Sequence, residues 1–371
     1  MAMRIKEALD AAYEDLVVQH KTQYLNIPCL LGGVGIGKTE GAFQLSTRLC
    51  DVVEDFLLCE AIATGEASDP TETMGIPWVI SVDSGSQGSS KEYRVLWALN
   101  KAAYQACQVP TLLLFDDIDK ATPMVVNALL NLFVHRKFKD YTLHPKSLMM
   151  CAGNRTTDDI HANALSESIR TRVTIIEVDT HLEDFIEWAN ADDTVERVHP
   201  LLLGFLPAYP ELLHKLEEGV YRFPTPRGYR EASLHMQTFK DPKGWKGMLE
   251  RKLGVGAANT FWAWYTILRK IDVDYILDFG SLKDPVVGTD KMPKEVAEKM
   301  SEFAAVFAVA DRLNQKIKSN HGGLEKFVDG LSPELRIAFF LQLRDVTKRE
   351  FRKHYTAAAS QIMGGIIKDS A

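Results

Sequence analysis

The sequence is poor in the features that mark secreted, metal-stapled or membrane-spanning proteins. Its 371 residues include only five cysteines, with no CxxC pair and no neighbouring histidine cluster, which disfavours a disulfide framework or a zinc site. No apolar run reaches the roughly 20 residues that a membrane-spanning helix needs, and no N-terminal stretch resembles a signal peptide. We therefore expect a cytoplasmic protein whose thiols are free. These thiols belong to Cys29, Cys50, Cys59, Cys107 and Cys151.

Positive charge is not in excess either. The chain has 43 basic and 50 acidic residues, a formal net charge of −7, and a sequence pI of about 5.9. Proteins that hold nucleic acid over much of their surface do so by neutralising phosphates. The charge balance makes such a protein less favoured, although a local basic patch stays compatible with it. The length suggests two or three domains.

The order of predicted elements changes near residue 180. Short apolar runs predict strands at residues 27–31, 56–59, 111–115, 147–151 and 173–178. Apolar residues at helical spacing predict helices at residues 3–24, 42–53, 93–106 and 123–133. Strands that alternate with helices form a parallel sheet with helices on both faces. From about residue 181 onward the pattern is helical, so the sequence predicts an α/β core followed by helices.

A glycine-rich loop stands between the first of these strands and the following helix. Its glycines allow a tight bend in which successive N–H groups point at a polyphosphate, and the helix adds its positive N-terminal end. Lys38 is predicted to reach the β- and γ-phosphates of ATP, and the Thr39 hydroxyl to ligate Mg2+. The predicted nucleotide-binding residues are Gly32, Gly33, Val34, Gly35, Ile36, Gly37, Lys38, Thr39 and Glu40.

The strand at residues 111–115 ends in two carboxylates. A P-loop enzyme needs such a carboxylate on a neighbouring strand, where Asp116 can hold a water on Mg2+. Asp117 is the candidate to orient or deprotonate the attacking water. An apolar strand that ends in aspartate is common by itself, and its position downstream of a P-loop makes it specific.

Residues 114–121 with residues 127–130 resemble the Walker B strand and following helix of AAA+ ATPases. They are most similar to the MoxR-like and dynein-related branch, in which a DE-x-x-(K/R)-A run precedes an N-A-L-L helix. Residues 151–154 resemble sensor 1, which gives Asn154 the role of contacting the γ-phosphate or the attacking water. Residues 165–173 are similar to the L-P-E-A-L-L-D-R-F stretch of that branch. The resemblance makes Arg172 the arginine that reaches a neighbour's nucleotide, with Arg170 as its competitor.

A last match, residues 224–228, resembles the sensor 2 segment at the start of a lid helix, where Arg227 would touch the phosphates. The resemblance covers residues 25–240 and implies four segments. These are an N-terminal helix at 1–24, an AAA+ α/β nucleotide-binding core at 25–180, an α-helical lid at 181–240, and a helical C-terminal region of unassigned role at 241–371.

The resemblance also implies an assembly and a partner. It implies ATP and Mg2+ as cofactors and an oligomeric ring, most often a hexamer, that remodels a protein substrate. Such ATPases are often paired with a protein that carries a von Willebrand A-like module. Two alternatives stay open: a nucleic-acid-directed AAA+ protein such as a helicase loader or restriction-type motor, and an ATP-gated scaffold that hydrolyses slowly.

The scaffold alternative depends on one departure from the family. The branch normally has glutamate where this chain has Asp117, and the aspartate side chain is one methylene shorter. Either Asp117 works with an adjusted water, or Asp119 assists, or hydrolysis is slow.

Two stretches outside the motifs are less informative. Residues 64–92 read as loops around an apolar stretch, at the place where this branch carries insertions facing the central pore. Their polar part, residues 83–90, either contacts a substrate chain or is a solvated connector. In the C-terminal region, aromatic residues 261–265 are expected in a helix core, and basic residues 348–354 on a solvated helix face.

Overall fold

The computed structural model shows a chain of two compact units, Met1–Asp179 and Thr180–Ala371. It describes residues 2–22, 26–55, 57–83, 91–159, 161–191, 197–216, 220–282, 294–315 and 323–354.

The first unit is built on a parallel sheet of six strands, in the order β1, β10, β2, β9, β6, β3. These strands are β1 (Met3–Arg4), β2 (Ile27–Gly32), β3 (Leu58–Ala63), β6 (Thr111–Asp116), β9 (Leu148–Gly153) and β10 (Val173–Asp179). The described helices around it are α1 (Ile5–Thr22), α2 (Lys38–Val53), α3 (Pro70–Met74), α4 (Lys101–Gln108), α5 (Pro123–His135) and α6 (Glu167–Arg170). Two short antiparallel pairs complete the unit: β4 (Ile76–Asp83) with β5 (Lys91–Ala98), and β7 (Lys137–Phe138) with β8 (Tyr141–Thr142).

The central strands β2, β6 and β9 consist mostly of apolar residues, because both faces of the sheet are covered. Along β6, Leu112 and Leu114 pack in one core with residues of α1 and α2. Leu113 and Phe115 point the other way and pack with residues of α4 and α5. Since successive side chains of a strand alternate between faces, the two cores lie on opposite sides of the sheet. The predicted parallel sheet with helices on both faces is confirmed.

Two expectations about the first unit are wrong. Residues 93–98 were expected to begin a helix, but they form the second half of strand β5, paired in register with β4. The apolar spacing of Tyr93, Val95 and Trp97 is the period of two that marks a strand. The carboxylate strand β6 is also not directly beside the P-loop strand β2, because β9 lies between them.

The predicted contact of the polar loop at residues 83–90 with a substrate chain stays a prediction, because residues 84–90 are outside the described part of the chain.

The second unit is helical, as predicted. Its described α-helices are α7 (Leu182–Asn190), α8 (Pro200–Phe205), α9 (Pro226–Thr238), α10 (Trp245–Leu253), α11 (Val255–Leu268), α12 (Val273–Phe279), α13 (Lys294–Gln315), α14 (Leu324–Gly330), α15 (Pro333–Gln342) and α16 (Asp345–His354). The aromatic stretch lies in α11, where Phe261 and Trp264 are fully buried. Across the described residues, no helix is both long and apolar enough to cross a membrane.

The helical unit has two hydrophobic cores. One contains buried residues of α7 to α11 together with Met300, Ala304 and Phe307 of α13. The other contains Phe303 and Val306 of α13 with residues of α12, α14 and α15. The first core therefore joins residues on both sides of residue 240. The boundary between a lid and a C-terminal region at that residue stays a prediction about function.

Candidate nucleotide-binding site

The glycine-rich loop leaves β2 and enters α2 through two residues in left-handed backbone conformations. Gly35 has φ 74° and Gly37 has φ 104°, a region that glycine occupies without steric cost. Gly37 is the residue before α2, and no side chain caps the helix there. The N–H groups of a first turn point out of the helix end, so this end is suited to an anion such as a phosphate.

Lys38 is folded inward, with its side-chain nitrogen inside the loop. Its Nζ donates to the carbonyl oxygens of Gly32 at 2.9 Å and Gly33 at 2.7 Å. A third bond, of 3.0 Å, runs to Oδ1 of Asn154. Lys38 is 8% exposed. Burial lowers its pKa to about 8, although Asp116 and Asp119 partly oppose the shift. Lys38 therefore joins the glycine-rich loop to Asn154, the residue that follows β9.

Thr39 and Asp116 face each other across the carboxyl ends of the strands. The Thr39 hydroxyl donates to Oδ2 of Asp116 at 2.9 Å, although β9 lies between the strands that lead to them. A hydroxyl and a carboxylate are the oxygen ligands that Mg2+ takes, usually with water and substrate phosphates. Within the described residues there is no cluster of three or more acidic, cysteine or histidine side chains for a metal. This donor pair therefore fits a nucleotide-borne Mg2+ better than an all-protein metal site.

Asp117 occupies an unusual backbone position. Its φ is 51°, a left-handed conformation that is uncommon for residues other than glycine, although aspartate is enriched among the exceptions. Its N–H donates to Oδ1 of Asp116 at 3.1 Å. Its side chain is 46% exposed and lies 3.7 Å from Nζ of Lys120. Strained backbone of this kind clusters at functional sites, and here it turns the second carboxylate out of the line of the strand.

Asp119 is more than an assisting carboxylate. It is 2% exposed, and its Oδ1 accepts the backbone N–H of Asn154 at 2.8 Å. Its backbone oxygen accepts the N–H of Asn163 at 3.1 Å. A Cβ on Gly153 would stand 2.7 Å from the same Oδ1, so a side chain there would displace the Asp119 carboxylate. Burial raises the pKa of Asp119. The turn after β6 is thereby fixed to the end of β9, which sets the position of Asn154.

Two further residues support the site without having been singled out in the sequence. Thr64, at the end of β3, is fully buried, and both its hydroxyl and its N–H donate to the Asp116 carbonyl. Arg155 forms ion pairs with Asp158 and Asp179, which join the chain after Asn154 to the end of β10. A threonine or an arginine at a strand end is common, so nothing in the sequence singles out these two residues. Their role is visible only from the residues that they contact in the fold.

Of the predicted arginines, Arg172 and Arg170 belong to the first unit and bond to residues of α6 or next to it. Arg172 follows α6, and its Nη1 donates to the Ser168 carbonyl at 2.7 Å. Arg170 is exposed, with its Nη2 3.9 Å from Glu167. Arg227 is exposed in the first turn of α9, in the second unit. Glu40 is exposed in the first turn of α2. The structure thus brings together Lys38, Thr39, Asp116 and Asn154, with Asp117 and Asp119 beside them.

Comparisons with known proteins give a weak likeness to solved structures of RuvB, among others. A variant of RuvB from Thermotoga maritima is 14% identical, with 74% of each chain covered and a TM-score of 0.39. The RuvB described as a Holliday junction branch migration motor, from the same organism, is 12% identical, with 74% of this chain and 76% of that chain covered and a TM-score of 0.38. No protein-family model matches the sequence, and no curated protein matches it.

Proposed function

We propose that this protein binds ATP with Mg2+ at the P-loop and hydrolyses it. The observation that carries the proposal is the convergence of β2, β6 and β9. Lys38 meets Asn154, 116 positions away, and Thr39 meets Asp116, 77 positions away. A glycine-rich turn with a structural role alone would not need a buried lysine, a hydroxyl–carboxylate pair and a sensor amide at one place.

Each side chain has a defined task in this proposal. Lys38 and the first-turn N–H groups of α2 bind the β- and γ-phosphates, while Thr39 and Asp116 would hold Mg2+. The ion, when bound, neutralises charge on the phosphate oxygens. Asn154 orients the attacking water or the γ-phosphate, and Asp117 holds that water and accepts its proton. Asp119 is a positioning residue, because it acts through the backbone N–H of Asn154.

The proposal predicts phosphate release that requires both ATP and Mg2+. Turnover should disappear when EDTA removes the metal and return when Mg2+ is added in excess. Thr39 and Asp116 supply only two protein ligands, so the rest of the ion's coordination comes from water and the nucleotide. Without the ion, the negative charge on the phosphates is not neutralised. The measurement is phosphate release on the full chain, with nucleotide binding followed in parallel by a fluorescent ATP analogue. A chain that binds no nucleotide at millimolar ATP would remove the whole proposal.

A slow, ATP-gated scaffold is the second candidate, and one observation favours it. Asp117 is one methylene shorter than the usual glutamate, and its carboxylate lies 3.7 Å from Nζ of Lys120. In this second candidate, both features keep the carboxylate back from the attacking water. We expect Asp117→Glu to raise the rate of phosphate release about tenfold or more, with the affinity for ATP unchanged. Asp117→Asn is the matched control, and it should lower the rate. A glutamate variant no faster than the native chain would mean that Asp117 already works at full effect.

The wider role follows from the resemblance rather than from the site. We infer a homo-oligomeric ring, most often hexameric, in which Arg172 of one copy reaches the nucleotide of the next, with Arg227 acting as sensor 2. The proposed substrate is a protein, and a partner with a von Willebrand A-like module is the named candidate. Action on nucleic acid stays the alternative. The expected location is the cytoplasm.

A further inference from the structure

The hairpin β4–β5 carries the most concentrated exposed apolar surface of the first unit. Its strands pair along eight residues each, from Ile76 opposite Ala98 to Asp83 opposite Lys91, a length of about 25 Å at the usual rise per residue. Apolar side chains are exposed to solvent on both of its faces. Residues that are 47–68% exposed are Ile76, Trp78, Val79, Tyr93, Val95 and Leu96.

The register sorts these six residues into two sets of three. Trp78 is opposite Leu96, and Ile76 lies two residues before Trp78, so the three share what we call the first face. Val79 is opposite Val95, and Tyr93 lies two residues before Val95, so these three share the second face. A hairpin that packed on its own domain would be apolar on one face and polar on the other.

The base of the hairpin is firmly held. The Asn100 side-chain amide donates to the carbonyl oxygens of Glu72 at 3.0 Å and Thr73 at 3.1 Å, and its oxygen caps α4. At the same end, Lys139 lies over the Trp97 ring, 4.3 Å from its centroid. The start of β4 and the end of β5 are thus fixed to the rest of the unit, while the apolar side chains farther along the two strands are exposed to solvent. This arrangement suits a rigid element that projects toward a partner.

We propose that the hairpin packs against second and third copies of this chain, with the first face of each copy on the second face of the next. Symmetry supports this choice of partner. A two-fold dimer repeats one patch against itself, so it would cover one face and leave the other in water. A head-to-tail contact uses two different patches and repeats from copy to copy until a ring closes. It covers both faces of every hairpin.

The area of each face is consistent with a contact that repeats. Each face offers roughly 300 Å² of apolar side chain, given that one aromatic residue buries about 150–250 Å² when fully covered. A stable interface buries about 800 Å² per partner. Each contact joins one face of one copy to one face of the next, so the hairpin supplies roughly 300 Å² per partner, and contacts elsewhere between the same two copies supply the rest. The inference rests on the proposed ring and specifies how its subunits meet.

The test uses three paired variants of the full chain. The first-face variant is Trp78→Ser with Leu96→Ser, and the second-face variant is Val79→Ser with Tyr93→Ser. The control, Leu234→Ser with Val255→Ser, removes two apolar residues of the helical unit that are 55% and 61% exposed. Molecular mass is measured by light scattering over a range of concentrations, with and without ATP. We expect each face variant to need at least tenfold more protein than the native chain or the control to assemble.

An equimolar mixture of the two face variants gives the sharpest result. Each variant retains the face that the other lacks, so the mixture should form a species of two chains that does not grow further, whereas neither variant alone should form it. That rescue also shows that both variants are folded. The proposal is overturned if the native chain stays a single chain under all conditions, or if both face variants assemble as the native chain does.

Other occupants of the hairpin and a failure of the ATPase proposal give separate results. Binding of a labelled unfolded polypeptide and of a labelled single-stranded oligonucleotide is measured as well. If the face variants assemble to the native mass but no longer bind one of these probes, the faces bind that class of ligand and the proposal is overturned. Nucleotide binding is followed on the same samples. Assembly through the two faces without any nucleotide binding would remove only the ATPase proposal. ATP turnover with face variants of unchanged mass would remove only the hairpin contact.

Discussion

Lys38→Ala is expected to lower the affinity for ATP by about 10²–10⁴-fold. The estimate takes two charge-assisted hydrogen bonds to phosphate at about 1.5–3 kcal/mol each, where about 1.4 kcal/mol corresponds to a factor of ten. The lysine is already inside the loop, bonded to two of its carbonyl groups. Its loss therefore removes both the charge and a group that is prearranged for the phosphates. Affinity is measured by titration with a fluorescent ATP analogue.

The pH dependence of the same titration follows from the lowered pKa of Lys38. Because burial lowers it to about 8, the side chain is charged below that pH and neutral above it. Bound phosphate favours the charged form and raises the pKa, so affinity should be constant below pH 8 and fall as the pH rises above it. Lys38→Ala should show no such fall. The matched control is Lys101→Ala, an exposed lysine in the first turn of α4, which should behave as the native chain does. An alanine variant at position 38 with native affinity would contradict the assignment.

Arg172→Ala is expected to leave ATP affinity unchanged and to lower the rate of hydrolysis by about 10³–10⁵-fold, the contribution of known arginine fingers. The guanidinium is permanently charged and can bind phosphate oxygens through two parallel bonds. It contacts none of the P-loop residues of its own chain in the contacts described above. In the proposed ring, it acts on the nucleotide of a neighbouring copy. Single-turnover phosphate release at saturating ATP measures the rate.

Mixed assemblies separate an effect in trans from a local defect. A Lys38→Ala chain cannot use its own site but still carries an intact Arg172. When it is mixed with the Arg172→Ala chain, it should supply the arginine to that chain's intact P-loop and partly restore hydrolysis. Arg170→Ala is the matched control. If Arg170→Ala loses hydrolysis and is rescued in this way while Arg172→Ala is not, the finger is the more exposed arginine, two residues earlier.

The order of elements was readable from the sequence because parallel strands buried on both faces leave a strong signal. The P-loop and strand β6 are continuous segments, so their residue types and spacing carry their chemistry. The same reasoning misread residues 93–98 as a helix. Over a few residues, a short amphipathic segment fits both the helical period of 3.6 and the strand period of 2. Pairing with β4 makes these residues a strand, and that pairing cannot be read from the segment itself.

Side-chain positions in the site were only partly readable. The motifs placed Asn154 and Asp116 at strand ends and Lys38 at the start of a helix. The structure adds the bonds that join Lys38 to Asn154 and Thr39 to Asp116. The order of strands was not readable, and β9 stands between the two strands that were expected to be neighbours. Thr64 and Arg155 gave no local signal, because each acts through a partner that is distant in the chain or at the end of another strand.

The sequence by itself determined that a glycine loop precedes a helix, that paired carboxylates end a buried strand, and that the later part of the chain is helical. These are properties of contiguous residues, set by backbone sterics, hydrogen bonding and apolar periodicity. Only the tertiary structure decided that Asp119 holds the backbone of Asn154, that Lys38 joins the glycine-rich loop to the residue after β9, and that β4–β5 exposes apolar side chains on both faces. Those features depend on which strands become neighbours and which surfaces stay uncovered, and both follow from packing of the whole unit rather than from any local pattern.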